Sequence, residues 1–477
     1  MIIDELARLR AELAQLKEKE QYLQDELSRI RVEIEAHSSR IEHIVWAKAP
    51  INSLPSEILV HVLELAALSR GKGDKCDFKI HDLQLVSRYW RDNIRSFPKF
   101  WSHIYLVPST KVSLVKTYVT RSGDYPLDVT IEFETHEDRF TTYIDLIVPH
   151  VHRWSTLRIG GSVRLFRLVL DKINHLKFPS LTHAAMRTDR SHIIEYPTFL
   201  KPENSPSLKR LGLRYLIPMG EFSPGQSFTD LSLGFTDGDH RFGPLTLPFL
   251  LSSQKLTTLD LVYSSCPTLP PNSISLPLLN SLTLHAGYPR ELLTAMVTPQ
   301  LSYFSLSYPI ASVSTIFHGL ESKFCSVRHL VLRLGARPIS YTDTQSISLA
   351  FLNVHHLVLG TEQVDDFFEA DPNGSCVVDR WRSLESLTFY QIFIEGAPYL
   401  ERWLRCRNLT GLPMLRVKFV DCTFLSHYED DKYHSTPRSL LYFHNQLRGA
   451  CILDIVDDTL HTIQQVSSQT LSPPPLV

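Results

Sequence analysis

The sequence predicts a chain in three parts: a long N-terminal coiled-coil helix, a small helical module, and an α/β domain built on a parallel β-sheet. Three observations carry this prediction. Apolar residues recur with a 3.5-residue period through residues 2–46, two apolar helical segments follow within 50–106, and short leucine-rich motifs then recur as far as about residue 425. We therefore expect domains at 1–48, 50–106 and 107–460, followed by a disordered tail at 461–477 that is rich in serine and proline.

The N-terminal helix is predicted from its heptad pattern. With position a at 6, 13, 20, 27, 34 and 41 and position d at 2, 9, 16, 23, 30, 37 and 44, eleven of these thirteen positions are apolar. Such a repeat over six heptads is typical of a coiled coil. Opposite charges at the g and following e positions, such as Glu12 and Lys17, favour a parallel homodimer through residues 2–46. The alternative is a helix that folds back onto its own chain.

The helical module is predicted from two apolar segments. Pro55 suits the first turn of a helix, and the residues that follow are apolar on more than one side, so this helix needs cover from two directions. A glycine-containing, charged connection is expected at 69–82. A second helix is predicted over 81–94, because Val86 and Trp90 continue one apolar stripe.

The same segment resembles an F-box. The residues that carry the resemblance are Leu54-Pro55-x-Glu57-Ile58-Leu59, then Leu83-x-x-Val86-Ser87-Arg88-x-Trp90-Arg91, then Pro98-x-x-Trp101-Ser102. An F-box docks a substrate receptor onto the Skp-type adaptor of a cullin–RING ubiquitin ligase. The resemblance implies adaptor binding through these positions: Leu54, Pro55, Ile58, Leu59, Val62, Val86 and Trp90.

This sequence departs from the F-box pattern in two places. The connection at 69–82 is longer and more charged, and Tyr89 stands where a small residue is usual. Neither departure removes a contact residue, although the long connection could alter the fit of the adaptor. The alternative is that these residues form only the core of an ordinary helical hairpin.

The third part is predicted from a recurring L-x-x-L-x-L motif or a close apolar variant. It starts at residues 154, 181, 208, 228, 256, 279, 301, 327, 354, 384 and 412. These intervals match leucine-rich repeats, in which each short strand buries its apolar face only by stacking on its neighbours. The Asn or Cys that usually follows the third leucine is missing at every repeat, which predicts an irregular leucine-rich-repeat-like solenoid with a parallel β-sheet.

Residues that alternate with the leucines are expected to lie on one outward face of this sheet. They carry both signs of charge, and that face is the candidate surface for a target protein. The candidate residues are Arg158, Arg210, Asp230, Asp260, Tyr303, His329, His356 and Arg416. The order of heptad helix, F-box and degenerate repeats resembles F-box proteins of mushroom-forming fungi.

Composition and charge indicate which partners and which cell compartment to expect. The net charge is −2 and no run of five basic residues occurs, so neither a nucleic-acid nor a membrane partner is expected. Seven widely spaced cysteines without a C-x-x-C motif predict a reducing compartment, the cytoplasm or the nucleus. No signal peptide or membrane span is predicted.

No motif of an enzyme, a cofactor or a metal site is found in the sequence. Adjacent His355 and His356 are not expected to form a ligand pair, because neighbours on a strand point to opposite faces. The leading hypothesis is therefore a non-catalytic substrate receptor of a Skp–cullin–F-box ubiquitin ligase, with an unknown protein as its target. The alternative is an interaction scaffold without any ligase role.

Overall fold

A computed structural model of the chain describes most of its residues. The described ranges are 2–48, 50–68, 76–133, 137–195, 197–219, 228–234, 255–263, 268–321, 323–335, 339–361, 365–368, 376–390, 393–394, 398–420, 422–424 and 445–456. The chain forms two compact units. The first contains Met1–Ser102 and Thr117–Gly123, and the second contains His103–Lys116 and Asp124–Val477. The predicted tail at 461–477 and the first half of the connection at 69–82 lie outside the described residues.

Eleven α-helices occur within the described ranges. They are α1 (Ile2–Lys48), α2 (Ser56–Leu68), α3 (Cys76–Val86), α4 (Arg88–Ser96), α5 (Val112–Arg121), α6 (Glu137–Ile147), α7 (Val163–Ile173), α8 (Arg290–Ala295), α9 (Val313–Phe317), α10 (Tyr341–Ala350) and α11 (Pro398–Leu409). None of these helices is both long enough and apolar enough to cross a membrane.

The long N-terminal helix is confirmed as α1. Its apolar heptad side chains are not covered: ten of them are between 46% and 64% exposed, namely Leu6, Leu9, Leu13, Leu16, Leu23, Leu27, Ile30, Ile34, Ile41 and Ile44. Intrahelical ion pairs hold part of the charged surface, for example Arg8 with Glu12 at 3.1 Å. Within the first unit these ten side chains therefore stay largely exposed.

The second helix of the module differs from the prediction. Instead of one helix over 81–94, the chain forms α3 and α4 with a break at Ser87. The Ser87 hydroxyl accepts a hydrogen bond from the Trp90 backbone N–H at 3.1 Å, which caps the start of α4. Helix α3 also begins at Cys76, so the second half of the predicted 69–82 connection is helical.

The core of this module is apolar and closely packed. Leu59, Leu63 and Ile94 are completely buried. The Trp101 indole N–H donates to the Ile94 carbonyl at 2.9 Å. Tyr118 packs edge-on against the Trp101 ring with the ring centroids 5.2 Å apart. These contacts fix α4 and the 3₁₀ turn at Pro98–Trp101 against one another.

Eighteen β-strands occur within the described ranges. They are β1 (His103–Leu106), β2 (Leu127–Phe133), β3 (Trp154–Gly161), β4 (His183–Glu195), β5 (Arg210–Met219), β6 (Asp230–Gly234), β7 (Thr258–Tyr263), β8 (Ile274–Ser275), β9 (Ser281–Ala286), β10 (Met296–Val297), β11 (Tyr303–Ser307), β12 (His329–Gly335), β13 (His356–Thr361), β14 (Ser386–Tyr390), β15 (Phe393–Ile394), β16 (Arg416–Val420), β17 (Thr423–Phe424) and β18 (Ile452–Val456).

Fourteen of these strands form one parallel sheet in sequence order; β8 pairs with β10 and β15 with β17 in two small sheets. The predicted parallel sheet of an α/β domain is therefore confirmed. Every motif from residue 154 to 412 precedes or begins a strand of the large sheet, and β2 lies before the first motif. Strand β1 lies within the range 50–106 assigned to the helical module, yet it pairs with β2.

The leucines of the motif form the core because side chains alternate along each strand. In β7, Leu259 and Leu261 are fully buried, whereas Thr258 and Asp260 on the other face are only half-buried. Aromatic rings fill the space behind the strands. Phe304, for example, lies 5.1 Å from Phe351 between ring centroids.

Hydroxyl side chains at the strand starts connect neighbouring repeats. Thr182 directly precedes β4, and its hydroxyl donates to the Ser155 carbonyl at 3.0 Å. Thr257 directly precedes β7 and donates in the same way to the Thr229 carbonyl at 2.9 Å. Each such bond contributes about 1 kcal/mol and adds to the backbone hydrogen bonds that the same carbonyl accepts.

Candidate interaction surfaces

Helix α2 exposes an apolar face. Ile58, Val62 and Leu65 follow one another at spacings of four and three residues, so they share one side of the helix. Ile58 is 52% exposed and Val62 and Leu65 are also exposed, whereas Leu59 and Leu63 on the opposite side are completely buried. One side of α2 therefore packs against the module, and the other side leaves Ile58, Val62 and Leu65 exposed.

A second exposed apolar pair lies at the end of α3. Leu85 is 82% exposed and Val86 is also well exposed, directly before the Ser87 cap. Because the chain breaks between α3 and α4, Val86 no longer shares a helix with Trp90. We define the five residues Ile58, Val62, Leu65, Leu85 and Val86 as the apolar patch of the module.

The predicted adaptor-binding residues divide into three groups. Pro55, Ile58, Val62 and Val86 are exposed, and Leu54 and Trp90 are half-buried. Leu59 is completely buried, so it packs the module instead of offering surface to a partner. Leu65 and Leu85 were missed as surface residues.

The second surface is the polar face of the large sheet. Strand register places six of the eight predicted target-binding residues in a single row across it. In that row Arg210 pairs with Asp230, Tyr303 with His329, and His329 with His356. Arg416 of β16 belongs to the same row, where it pairs with Ser386 of β14. Arg158 and Asp260 lie one row further on, two residues along their strands.

Charged side chains on this face form ion pairs between strands. An Arg210 guanidinium nitrogen lies 3.5 Å from an Asp230 carboxylate oxygen, and Arg214 lies 3.4 Å from Asp260. The Asp260 carboxylate also accepts a hydrogen bond from the Ser232 hydroxyl at 2.9 Å. These pairs are largely exposed, and each contributes less than about 1 kcal/mol to stability.

Histidines gather at the strand starts of β12 to β14. The His329 and His356 rings stack with their centroids 4.3 Å apart. The expectation that His355 and His356 point apart is wrong, since both face Glu385: His355 Nδ1 lies 3.0 Å and His356 Nε2 3.9 Å from its carboxylate. His355 precedes β13, so strand alternation does not apply to it. Within the described ranges no group of three or more histidine, cysteine, aspartate or glutamate side chains is placed to hold a metal ion.

Three histidines with a lowered pKa, His183, His285 and His329, predict that the second unit loses stability in acid. Burial lowers the pKa of His329, and the neighbouring His356 lowers it further. Burial also lowers the pKa of His183 and of His285. The unfolded chain therefore binds more protons below pH 6.5, and stability that is present at neutral pH is lost as the pH falls through the folded-state values.

We expect the midpoint of thermal unfolding to be lower at pH 5.5 than at pH 7.5. The triple change His183→Gln, His285→Gln and His329→Gln should reduce this difference, because glutamine cannot be protonated. Circular dichroism melting curves of both proteins at the two pH values measure the effect. A variant that retains the full difference would show that other groups cause the acid sensitivity.

No model of a known protein family matches the chain, and no curated protein matches it either.

Proposed function

We propose that the chain is a substrate receptor of a Skp–cullin–F-box ubiquitin ligase. The observation that carries this proposal is the apolar patch on a module whose sequence resembles an F-box. Ile58, Val62 and Leu65 would cost free energy in water, at about 25 cal/mol per Å² of apolar surface, and binding of an adaptor would recover it. The receptor itself performs no covalent chemistry; it holds a target near a ubiquitin-charged enzyme.

The exposed members of the predicted adaptor site support this proposal. Ile58 and Val62 lie on the uncovered side of α2, with exposed Pro55 at its start. Leu59 keeps a role in the proposal as a packing residue that fixes α2 on the module. The Lys99 ammonium lies 2.8 Å from the Glu64 carboxylate and ties the same helix to the 3₁₀ turn.

The large sheet supports the target-binding part of the proposal. Its strands follow one another in sequence order and in parallel, as in a leucine-rich-repeat solenoid, and the motif supplies one strand per repeat. We propose that this unit is such a solenoid, irregular in its connections. Its polar row from Arg210 to Arg416 would then be the surface that meets a target protein.

An affinity purification with mass spectrometry tests the proposed function. The tagged full-length chain should retain a Skp-type adaptor and a cullin, and the double change Leu54→Ala and Pro55→Ala should reduce both. Retention of other proteins with neither subunit present would favour the scaffold hypothesis. Adaptor recovery from the double variant equal to that from the unchanged chain would defeat the site assignment.

Helix α1 supports a dimeric receptor. Its ten exposed heptad residues form an apolar stripe, interrupted by Glu20 and His37, which a second copy of α1 would cover in a parallel coiled coil. Ion pairs within one helix, such as Glu26 with Arg29 at 2.7 Å, lie outside positions a and d. A dimer would present two adaptor sites and two target sites in one assembly.

We expect sedimentation velocity of the full chain to give the mass of a dimer at micromolar concentration. Leu23→Lys with Ile30→Lys places two charges in the apolar stripe and should shift the chain to monomer. Gln21→Lys with Ser28→Lys adds the same charge at outward positions and should leave the dimer intact. Monomer in all three samples would contradict self-association through α1.

A further inference from the structure

One region of the polar sheet face carries almost no side-chain atoms, and we call this region the floor. Ala185 in β4 pairs in register with Gly212 in β5, and both lie on the outward face. An ideal Cβ placed on Gly212 would lie 3.5 Å from the Ala185 Cβ, an ordinary contact distance. Neither residue has a polar side chain, so the floor at this point consists of backbone and a single methyl group.

Long basic side chains surround this floor. His183 and Arg187 flank Ala185 along β4, and Arg210 and Arg214 flank Gly212 along β5, each two residues away and hence on the same face. The neighbouring strands complete the ring. Arg158 of β3 pairs in register with Ala185, and Ser232 of β6 pairs with Gly212. All four arginines are exposed.

Two of the arginines lean away from the floor. The ideal Cβ position of Gly160 lies 3.8 Å from an Arg187 guanidinium nitrogen and 3.9 Å from a Glu132 carboxylate oxygen, so the Arg187 side chain reaches towards β3 and this carboxylate. The Arg214 side chain lies over Gly234 of β6, with its Cγ 3.2 Å from the ideal Cβ position there. The depression between them spans about 14 Å across the strands and about 13 Å along them, at ~4.8 Å per strand and ~3.3 Å per residue.

Two of the four arginines of this ring already form ion pairs. Arg210 and Arg214 each already have a carboxylate nearby, from Asp230 and Asp260. Among the described residues no ion pair is formed by Arg158. Arg158 can therefore pair with an added carboxylate without breaking an existing ion pair.

Charged groups of both signs act on His183 at the edge of the floor. Burial lowers the pKa of His183, Arg158 and Arg210 lower it further by repelling the added proton, and Asp128 and Asp230 oppose this effect.

We infer that this ring binds an extended acidic segment of the target protein, with one glutamate or aspartate carboxylate seated over Ala185 and Gly212 beside Arg158. The inference rests on the proposed function, since it names the class of target that the receptor would hold. A four-residue extended segment spans about 13 Å, which matches the ring along the strands. The absence of enclosing walls favours a peptide over a small free acid, because small-molecule sites bury most of their ligand.

Fluorescence anisotropy with the full-length chain tests this inference. The probes are three labelled ten-residue peptides: alternating glutamate and serine, the same peptide with glutamine for glutamate, and the glutamine peptide with one phosphoserine. The glutamate peptide should bind at least about tenfold more tightly than the glutamine peptide, since charge-assisted hydrogen bonds contribute about 1.5–3 kcal/mol.

Three variants make the test specific. Arg158→Gln with Arg187→Gln removes charge, and Gly212→Leu fills the floor without changing charge; each should weaken the glutamate peptide about tenfold or more. Arg382→Gln with Arg402→Gln removes two exposed arginines that lie outside the strands of the sheet and should leave binding unchanged. Equal binding of the glutamate and glutamine peptides, no binding by either, or an unaffected Gly212→Leu variant would overturn the inference.

Tighter binding of the phosphoserine peptide by more than tenfold would also overturn it, in favour of a phosphate ligand. The assay contains no adaptor and probes only the second unit. Its failure is therefore distinct from failure of adaptor binding, which concerns the helical module.

Discussion

Replacing Ile58 with aspartate is expected to weaken binding of a Skp-type adaptor by about 30-fold or more. Ile58 is the one isoleucine of α2, and its side chain lies on the uncovered face with Val62 and Leu65. Buried anchors at the centre of an interface commonly contribute 2 kcal/mol or more, and an aspartate would additionally bury a charge. Binding of purified adaptor to immobilised chain measures the change.

Ile310→Asp is the matched control. Ile310 is 49% exposed and Ile58 is 52% exposed, so both substitutions replace an equally accessible isoleucine with the same charge. Ile310 belongs to the second unit and lies outside the proposed adaptor site. Equal weakening by both substitutions would point to a general loss of folding or solubility, and unchanged binding by Ile58→Asp would remove α2 from the adaptor site.

Replacing Phe304 with alanine is expected to destabilise the second unit by about 3–5 kcal/mol. Phe304 is completely buried in β11, and its ring contacts those of Phe324 and Phe351 with centroids 5.7 and 5.1 Å away. Truncation leaves a cavity between these rings because a packed core collapses only in part. Urea denaturation followed by circular dichroism should show a transition at lower urea.

Tyr303→Ala is the control for Phe304→Ala. The two residues are adjacent in β11, but Tyr303 lies on the polar face and is only half-buried. Its removal should cost about 1 kcal/mol or less, the scale of cross-strand side-chain pairs. A larger effect for Tyr303→Ala than for Phe304→Ala would contradict the assignment of the leucine face as the core.

The strands were predictable because their signal is local. In motifs such as Leu256-Thr-Thr-Leu259-Asp-Leu261, apolar and polar residues alternate, and alternation alone sets which side chains are buried. A repeat of similar units also fixes the register, so Arg210, Tyr303 and Arg416 could be placed in a common row without coordinates. Both inferences need only sequence periodicity.

The break inside the second helix was not predicted, although a signal was present. Val86 and Trp90 keep a four-residue spacing, and that spacing concealed the end of one helix and the start of another. Ser87 is a residue type that favours the N-cap, and its hydroxyl does cap α4. The capping preference outweighs the apolar periodicity here because it satisfies backbone N–H groups at the helix start.

Which side of α2 is covered could not be read from the sequence. Its residues are apolar almost all round, so Leu59, Leu63 and Leu65 look equivalent until the neighbouring helices are placed. The arginine ring was missed for a similar reason. Ala185 and Gly212 carry no chemical signal of their own, and they become a floor only through the pairing of β4 with β5.

Titration calorimetry of the purified full-length chain with a purified Skp-type adaptor tests the central claim most directly. The account predicts one adaptor per chain with a dissociation constant of about 1 µM or lower, corresponding to about −8 kcal/mol. It also predicts that Ile58→Asp removes the heat of binding while Ile310→Asp retains it. No heat of binding from a chain whose melting curve shows that it is folded would contradict the claim.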